Sequence, residues 1–148
     1  VAALMLSRTA VKVIRTAISE VDDQEICGFL LGRQLCDDVH ADIARPVENI
    51  YHSRWSFGIS EREYAAVLEE LSPRFELIGL YHSHLGSAHL SLQDKQSMSV
   101  GSLVWLVIGL RETQKGSQAL DWRCFKRTEE GIKRLRVQMP DDWVARIT

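Results

Sequence analysis

The segment His82-Ser83-His84, followed by Ser91 and by Asp94 ten residues after His84, gathers three metal-ligating side chains and a hydroxyl into one short stretch. On a strand, residues two apart share a face, so both imidazoles would point one way and Ser83 the other. Two histidines and a carboxylate make a three-ligand set with a fourth position left for water, as catalytic rather than structural zinc sites have. Imidazole and carboxylate donors suit zinc, with iron and manganese as alternatives. Hydrolysis needs two more parts: a base for the proton of water and a donor for the oxyanion that forms. Glu25, immediately before the apolar run that starts at Ile26, is the candidate base, and Ser91 the candidate donor. Each residue also has a plainer reading. A glutamate at a strand entrance is ordinarily solvated, and Ser91-Leu92-Gln93-Asp94 has the form of a helix-capping box.

These groups meet only if the intervening elements bring them together. Ser7 reads as the cap of a first helix with apolar Ala10, Val11, Val13, Ile14, Ala17, Ile18 and Val21 at helical spacing, ending near Asp22-Asp23. The glycine-bounded run Ile26–Gly32 reads as a buried strand, and Val39, Ala41 and Ile43 alternate like a half-buried one. Ser60-Glu61-Arg62-Glu63 opens a second helix through Tyr64, Val67, Leu68 and Leu71, stopped by Pro73. Strands are expected over Phe75–Tyr81, Leu103–Leu110, Leu120–Lys126 and Ile132–Val137, a short helix from Ser91 to about Val100, and a turn over Thr113–Ser117. The expectation is a single α/β domain over residues 1–148, with a mixed central β-sheet flanked by about three helices.

Composition narrows the function class. Hydrophobic residues are 45% and charged residues 26% of the 148, ordinary for a globular protein, and no run approaches the roughly 18 apolar residues of a membrane span. Val1–Leu6 is too short for a signal-peptide core, and Met5 is a possible alternative start. A net charge of -2 gives no electrostatic case for nucleic acid. Cys27, Cys36 and Cys124 form no CxxC pair and leave one over, which argues against a disulfide framework or a structural zinc site and for a reducing cytoplasm.

The ordered set Glu25, Cys27-Gly28-Phe29-Leu30-Leu31-Gly32, Gly79-Leu80-Tyr81-His82-Ser83-His84, Ser91 and Asp94 resembles the JAMM (MPN-plus) metallopeptidases, in particular their small single-domain prokaryotic members. Asn49, Phe57 and the helix from Ser60 resemble the family's middle segment. The resemblance implies an MPN-like (cytidine-deaminase-like) sheet flanked by helices and a zinc-dependent peptidase or isopeptidase. His82, His84 and Asp94 would then bind one catalytic zinc ion, Glu25 would serve as general base and pass the proton to the leaving amine, and Ser91 would hydrogen-bond the oxyanion. The implied partner is a ubiquitin-like β-grasp or sulfur-carrier protein, trimmed or released at its C-terminus, with neither nucleic acid nor membrane involved. Two departures stand out. Leu85 occupies the place of a usual proline, and six residues rather than seven separate His84 from Ser91. A catalytically silent scaffold that binds partners is the alternative this shortened loop suggests. A nucleobase deaminase would require His-x-Glu and Pro-Cys-x-x-Cys, and neither is present. His89, inside the loop, reads as a solvated residue or an accessory ligand. Trp55 and Phe57 are candidate groove residues, with core packing the favoured reading of Phe57, and Lys126, Arg127, Lys133, Arg134 and Arg136 read as a solvated strand face.

Overall fold

The computed structural model describes residues 2–101, 103–112, 114 and 118–140. In chain order the elements are β1 (Ala3–Leu6), α1 (Arg8–Glu20), β2 (Cys27–Leu35), β3 (Asp38–Val47), α2 (Glu61–Glu70), β4 (Glu76–Leu85), α3 (Leu92–Ser97), β5 (Val104–Glu112), β6 (Gln118–Thr128) and β7 (Gly131–Gln138). The expected turn over Thr113–Ser117 lies, Gln114 apart, outside the described residues.

The helix starts follow local chemistry. Ser7 caps α1: its Oγ accepts from the Ala10 amide at 3.0 Å and donates to the Asp42 carbonyl at 2.8 Å, so the cap also ties α1 to β3. Removing such a cap costs about 1 kcal/mol. The helix ends at Glu20, two residues before the expected Asp22, and its last bond runs from the Val21 amide to the Ala17 carbonyl. Ser60 caps α2 in the same way through the Glu63 amide.

The strands run in the order β1-β3-β2-β4-β5-β6-β7 and close into a barrel. This overturns the expected helix-flanked central sheet. The closing element is β1, parallel to both β3 and β7, through Leu4 opposite Val39 and Val137. Ala3-Leu4-Met5-Leu6 has no β-branched residue and no period-two alternation, so nothing local marked it as a strand. Met5 lies within it. The helices do not all flank the sheet either. All seven strands contribute side chains to one apolar cluster, including Leu4, Leu30, Val39, Ile78, Leu106, Cys124 and Leu135, and α1 adds Ala10, Val11, Ile14 and Ile18 to it. Full burial of a side chain such as Ile14 contributes about 1.5–3 kcal/mol.

A second cluster covers the opposite face of β2, β4 and β5: Phe29, Leu31, Leu80 and Trp105, with Val67 from α2 and Met98 beyond α3. Two register shifts decide which residues reach which cluster. Leu31 pairs with Ile43 but Gly32 with Ala41, so Val39 and Ala41 join the first cluster while Ile43 packs on the second, and the simple alternation expected of Val39, Ala41 and Ile43 breaks. A second shift on β4 pairs Leu30 with Gly79 and Leu31 with Leu77, which places Leu80 on the second-cluster face with His82 two residues further along. Gly28 faces Tyr81 across the ladder, and an added Cβ there would overlap the Tyr81 ring and the Arg45 carbonyl oxygen. Cys27 and Cys124 are buried thiols and Cys36 is exposed; no disulfide forms among them. Among the described residues, no helix is long and apolar enough to cross a membrane.

Candidate metal centre

His82 and His84 stand at the C-terminal end of β4, with side chains on the same face, as strand periodicity requires. His82 is wholly buried. Its ring stacks on Phe57 with centroids 4.2 Å apart and planes at 21°, and meets the edge of Trp105 at 5.7 Å. Phe57 is half-buried and packs against the second cluster, in line with the favoured core reading, and its stacking orients the imidazole plane.

Ser83 points to the other face, where it takes up the start of β2. Its Oγ accepts from the Ile26 amide at 2.9 Å and its own amide donates to the Ile26 carbonyl at 3.0 Å. The residue before Ile26 is Glu25, so the serine between the histidines pins the chain next to the candidate base.

Ser91 caps α3, and the cap is a reciprocal box. The Asp94 amide donates to Ser91 Oγ and the Ser91 amide donates to Asp94 Oδ2, each at 3.0 Å. That same Oδ2 lies 3.2 Å from His82 Nε2 and 3.0 Å from His84 Nε2, and the two Nε2 atoms are 3.0 Å apart. The capping reading of Asp94 therefore holds, and the cap aims the same carboxylate at the histidines, the placement that the ligand reading needs. Four-coordinate zinc with bonds of about 2.0–2.1 Å sets adjacent ligand atoms about 3.3 Å apart. The triangle observed here is within a few tenths of an ångström of that spacing.

The six-residue loop from Leu85 to Leu90 closes this triangle. Gly86 adopts φ +107°, a conformation that side chains disfavour, and its amide donates to the Leu110 carbonyl at 2.9 Å. The loop then lies directly on Gly109, where an added Cβ would come within 2.5 Å of the Ala88 nitrogen. His89 is exposed, 3.3 Å from Arg123 through Nδ1, and borders the cleft without joining the triangle.

Glu25 is 3% exposed, and among the described residues its Oε1 has no hydrogen-bond partner. Burial first of all raises its pKa to about 7; the charge of His84 works against this and that of Asp94 adds to it. Donor atoms of Glu25, His82 and His84 all lie within 4.8 Å of one another, so this group too can hold a metal ion. The histidines are common to both sets. Of the two carboxylates, Asp94 is the one in direct contact with both histidine Nε2 atoms. Burial lowers the pKa of His82 despite the Asp94 contact. For His84 burial acts the same way but is outweighed by hydrogen bonding and charge from Asp94, and further by Glu25 and Ser87, so its cation is favoured. Burial would raise Asp94, yet hydrogen bonds from both histidines hold it well below the usual carboxylate range. His82 Nδ1 is buried without a partner among the described residues, unlike the outer nitrogen of most metal-binding histidines.

An open cleft of about 270 Å³ runs past these groups, lined by Glu25, Arg54, Trp55, His84, His89 and Ser91 among others. Trp55 is 75% exposed at its rim. All five residues singled out in the sequence thus meet at one place. Two further contributors do not stand out as site residues in the sequence, although Asn49 resembles part of the family's middle segment. Ser83 grips β2, and Asn49, a buried amide in the loop before α2, bonds the Glu25 carbonyl.

Solved structures share the fold, two of them as follows. Protein DSY2949 from Desulfitobacterium hafniense superposes with a TM-score of 0.78 at 21% identity over 92% of each chain. A protein from Salinibacter ruber gives 0.63 at 19% identity, covering 93% of this chain and 92% of its own. No curated protein matches the sequence. The family model described as prokaryotic homologs of the JAB domain matches residues 7–125, most of the chain. With the JAMM-like residue order assembled at one cleft and this match over it, the chain belongs to the prokaryotic homologs of the JAB domain, a small prokaryotic member of the JAMM/MPN family.

Proposed function

We propose that this protein is a zinc-dependent peptidase or isopeptidase that hydrolyses a bond at the C-terminus of a ubiquitin-like β-grasp or sulfur-carrier protein. The observation that carries the reading is the contact triangle of His82 Nε2, His84 Nε2 and Asp94 Oδ2 at 3.0–3.2 Å, with a buried Glu25 oxygen beside it that has no hydrogen-bond partner among the described residues. His82, His84 and Asp94 would hold the ion. Zinc bound there supplies a charge that polarises a carbonyl and acidifies water.

The remaining work belongs to the chain. Glu25, poised by burial near neutrality, takes a proton from water and returns it to the leaving amine. Ser91 Oγ already accepts from the Asp94 amide, which leaves its own proton free to point into the cleft at an oxyanion. Phe57 and Trp105 wall off His82 and exclude water from behind it. An extended tail lying in the cleft would pass the exposed Trp55 on its way to Glu25 and His84.

Metal analysis and a cleavage assay test the reading. The purified protein should hold about one zinc per chain, as a single three-ligand site requires, and remove a C-terminal extension from a ubiquitin-like protein. Chelation should stop cleavage and zinc should restore it. A protein that reloads zinc but cleaves no such extension, or that takes up no zinc, refutes the activity and leaves the partner-binding scaffold.

A further inference from the structure

We infer that Asn49 is a positioning residue that sets the distance between Glu25 and the histidine–aspartate triangle; the inference rests on the proposed hydrolytic role of Glu25. Asn49 is 3% exposed and uses both ends of its amide. Nδ2 donates to the Glu25 carbonyl at 3.0 Å, to the Ser56 carbonyl at 3.0 Å and, more weakly, to the Ser53 carbonyl at 3.4 Å. Oδ1 accepts from the Tyr51 and Gly58 amides, each at 3.1 Å. The Glu25 amide in turn donates to the Ser53 carbonyl at 2.8 Å.

The loop over residues 49–58 is thereby wrapped around one side chain, and Glu25 is bound to it at both its amide and its carbonyl. The side of Glu25 facing β4 is held independently, by Ser83 through Ile26. Glu25 precedes the first residue of β2 by two positions, so no ladder bond of its own fixes it. Asn49 supplies what the sheet does not. The same loop carries Phe57, whose ring is held separately by stacking on His82 and by the edge contact with Trp105.

Displacing a catalytic group by about 1 Å costs on the order of 10²-fold in rate. In zinc-loaded Asn49→Ala, kcat should fall by about that factor while KM and zinc content persist, since none of the three close ligands is touched. Asn49→Asp keeps the acceptor for Tyr51 and Gly58 but loses the donors to Glu25 and Ser56, and should lose kcat likewise. Leu135→Ala, a cavity variant in β7, controls for lost stability and should keep kcat per folded molecule. Hydrogen exchange needs no activity. In metal-free Asn49→Ala the Glu25 and Gly58 amides should exchange faster than in wild type, while the Leu80 amide in β4 should not change. If the variants do not fold, wild-type exchange decides: the Glu25, Tyr51 and Gly58 amides should be as slow as the core strands. Fast exchange there overturns the inference, as does a kcat for Asn49→Ala within about threefold of wild type, or loss of zinc along with activity. Should the wild type hydrolyse nothing, the proposed function fails while exchange and zinc content still test the clamp.

Discussion

Replacing Glu25 with glutamine separates what this buried carboxyl costs the fold from what it is proposed to do in the cleft. Its carboxyl lies near 7 rather than 4.5, chiefly because it is buried. An acid whose folded pKa exceeds its unfolded value keeps a proton in the folded chain that the unfolded chain has lost. Stability is then unaffected below about pH 4.5, declines as pH rises to about 7 and stays reduced above it. At about 1.4 kcal/mol per pH decade the interval corresponds to roughly 3 kcal/mol. The cleft is open to water, and discounting by about half for solvent screening leaves about 1.5–2 kcal/mol. Glutamine cannot ionise. Metal-free Glu25→Gln should therefore be more stable than metal-free wild type at pH 8 by that amount, a rise in Tm of roughly 3–8 °C for a chain of this size. At pH 4 the two should melt together. Thermal unfolding in chelator at the two pH values measures the difference, and zinc-loaded Glu25→Gln should not cleave. A variant no more stable than wild type at pH 8, or equally stabilised at both pH values, refutes the claim that Glu25 is held strained by burial.

Ser91→Ala should retain zinc but lower kcat by about 10²–10³ if the hydroxyl meets the oxyanion, and should also cost about 1 kcal/mol through the lost α3 cap; undiminished kcat would leave Ser91 with capping alone. Gly28→Ala should lower stability by about 1–3 kcal/mol, since the new methyl group meets the Tyr81 ring and the Arg45 carbonyl, and denaturant unfolding at matched pH would detect it.

Much of the site was legible because it is local. The histidine spacing needs only strand periodicity, and Ser91 with Asp94 needs only one helix turn; α1, α2 and most strands appeared where apolar spacing and caps placed them. What failed was long-range. Four unmarked residues, Ala3–Leu6, decide whether the sheet stays open or closes, and their strand state comes from parallel pairing with β3 and β7, elements far apart in sequence. The bulge beside Gly32 likewise redirects Ile43 through cross-strand register rather than through its own alternation.

The sequence alone determined which chemistry is available, because donor types and their spacing on a strand and a helix start are properties of short segments. Only the tertiary structure decided that the short loop still brings Asp94 to the histidines, that Glu25 is buried enough to hold its proton near neutrality, and that Asn49 and Ser83 hold it there. Each of these depends on how far apart two segments lie once folded, and that distance is set by barrel closure, a glycine in a left-handed turn and the hydrogen bonds of one buried amide.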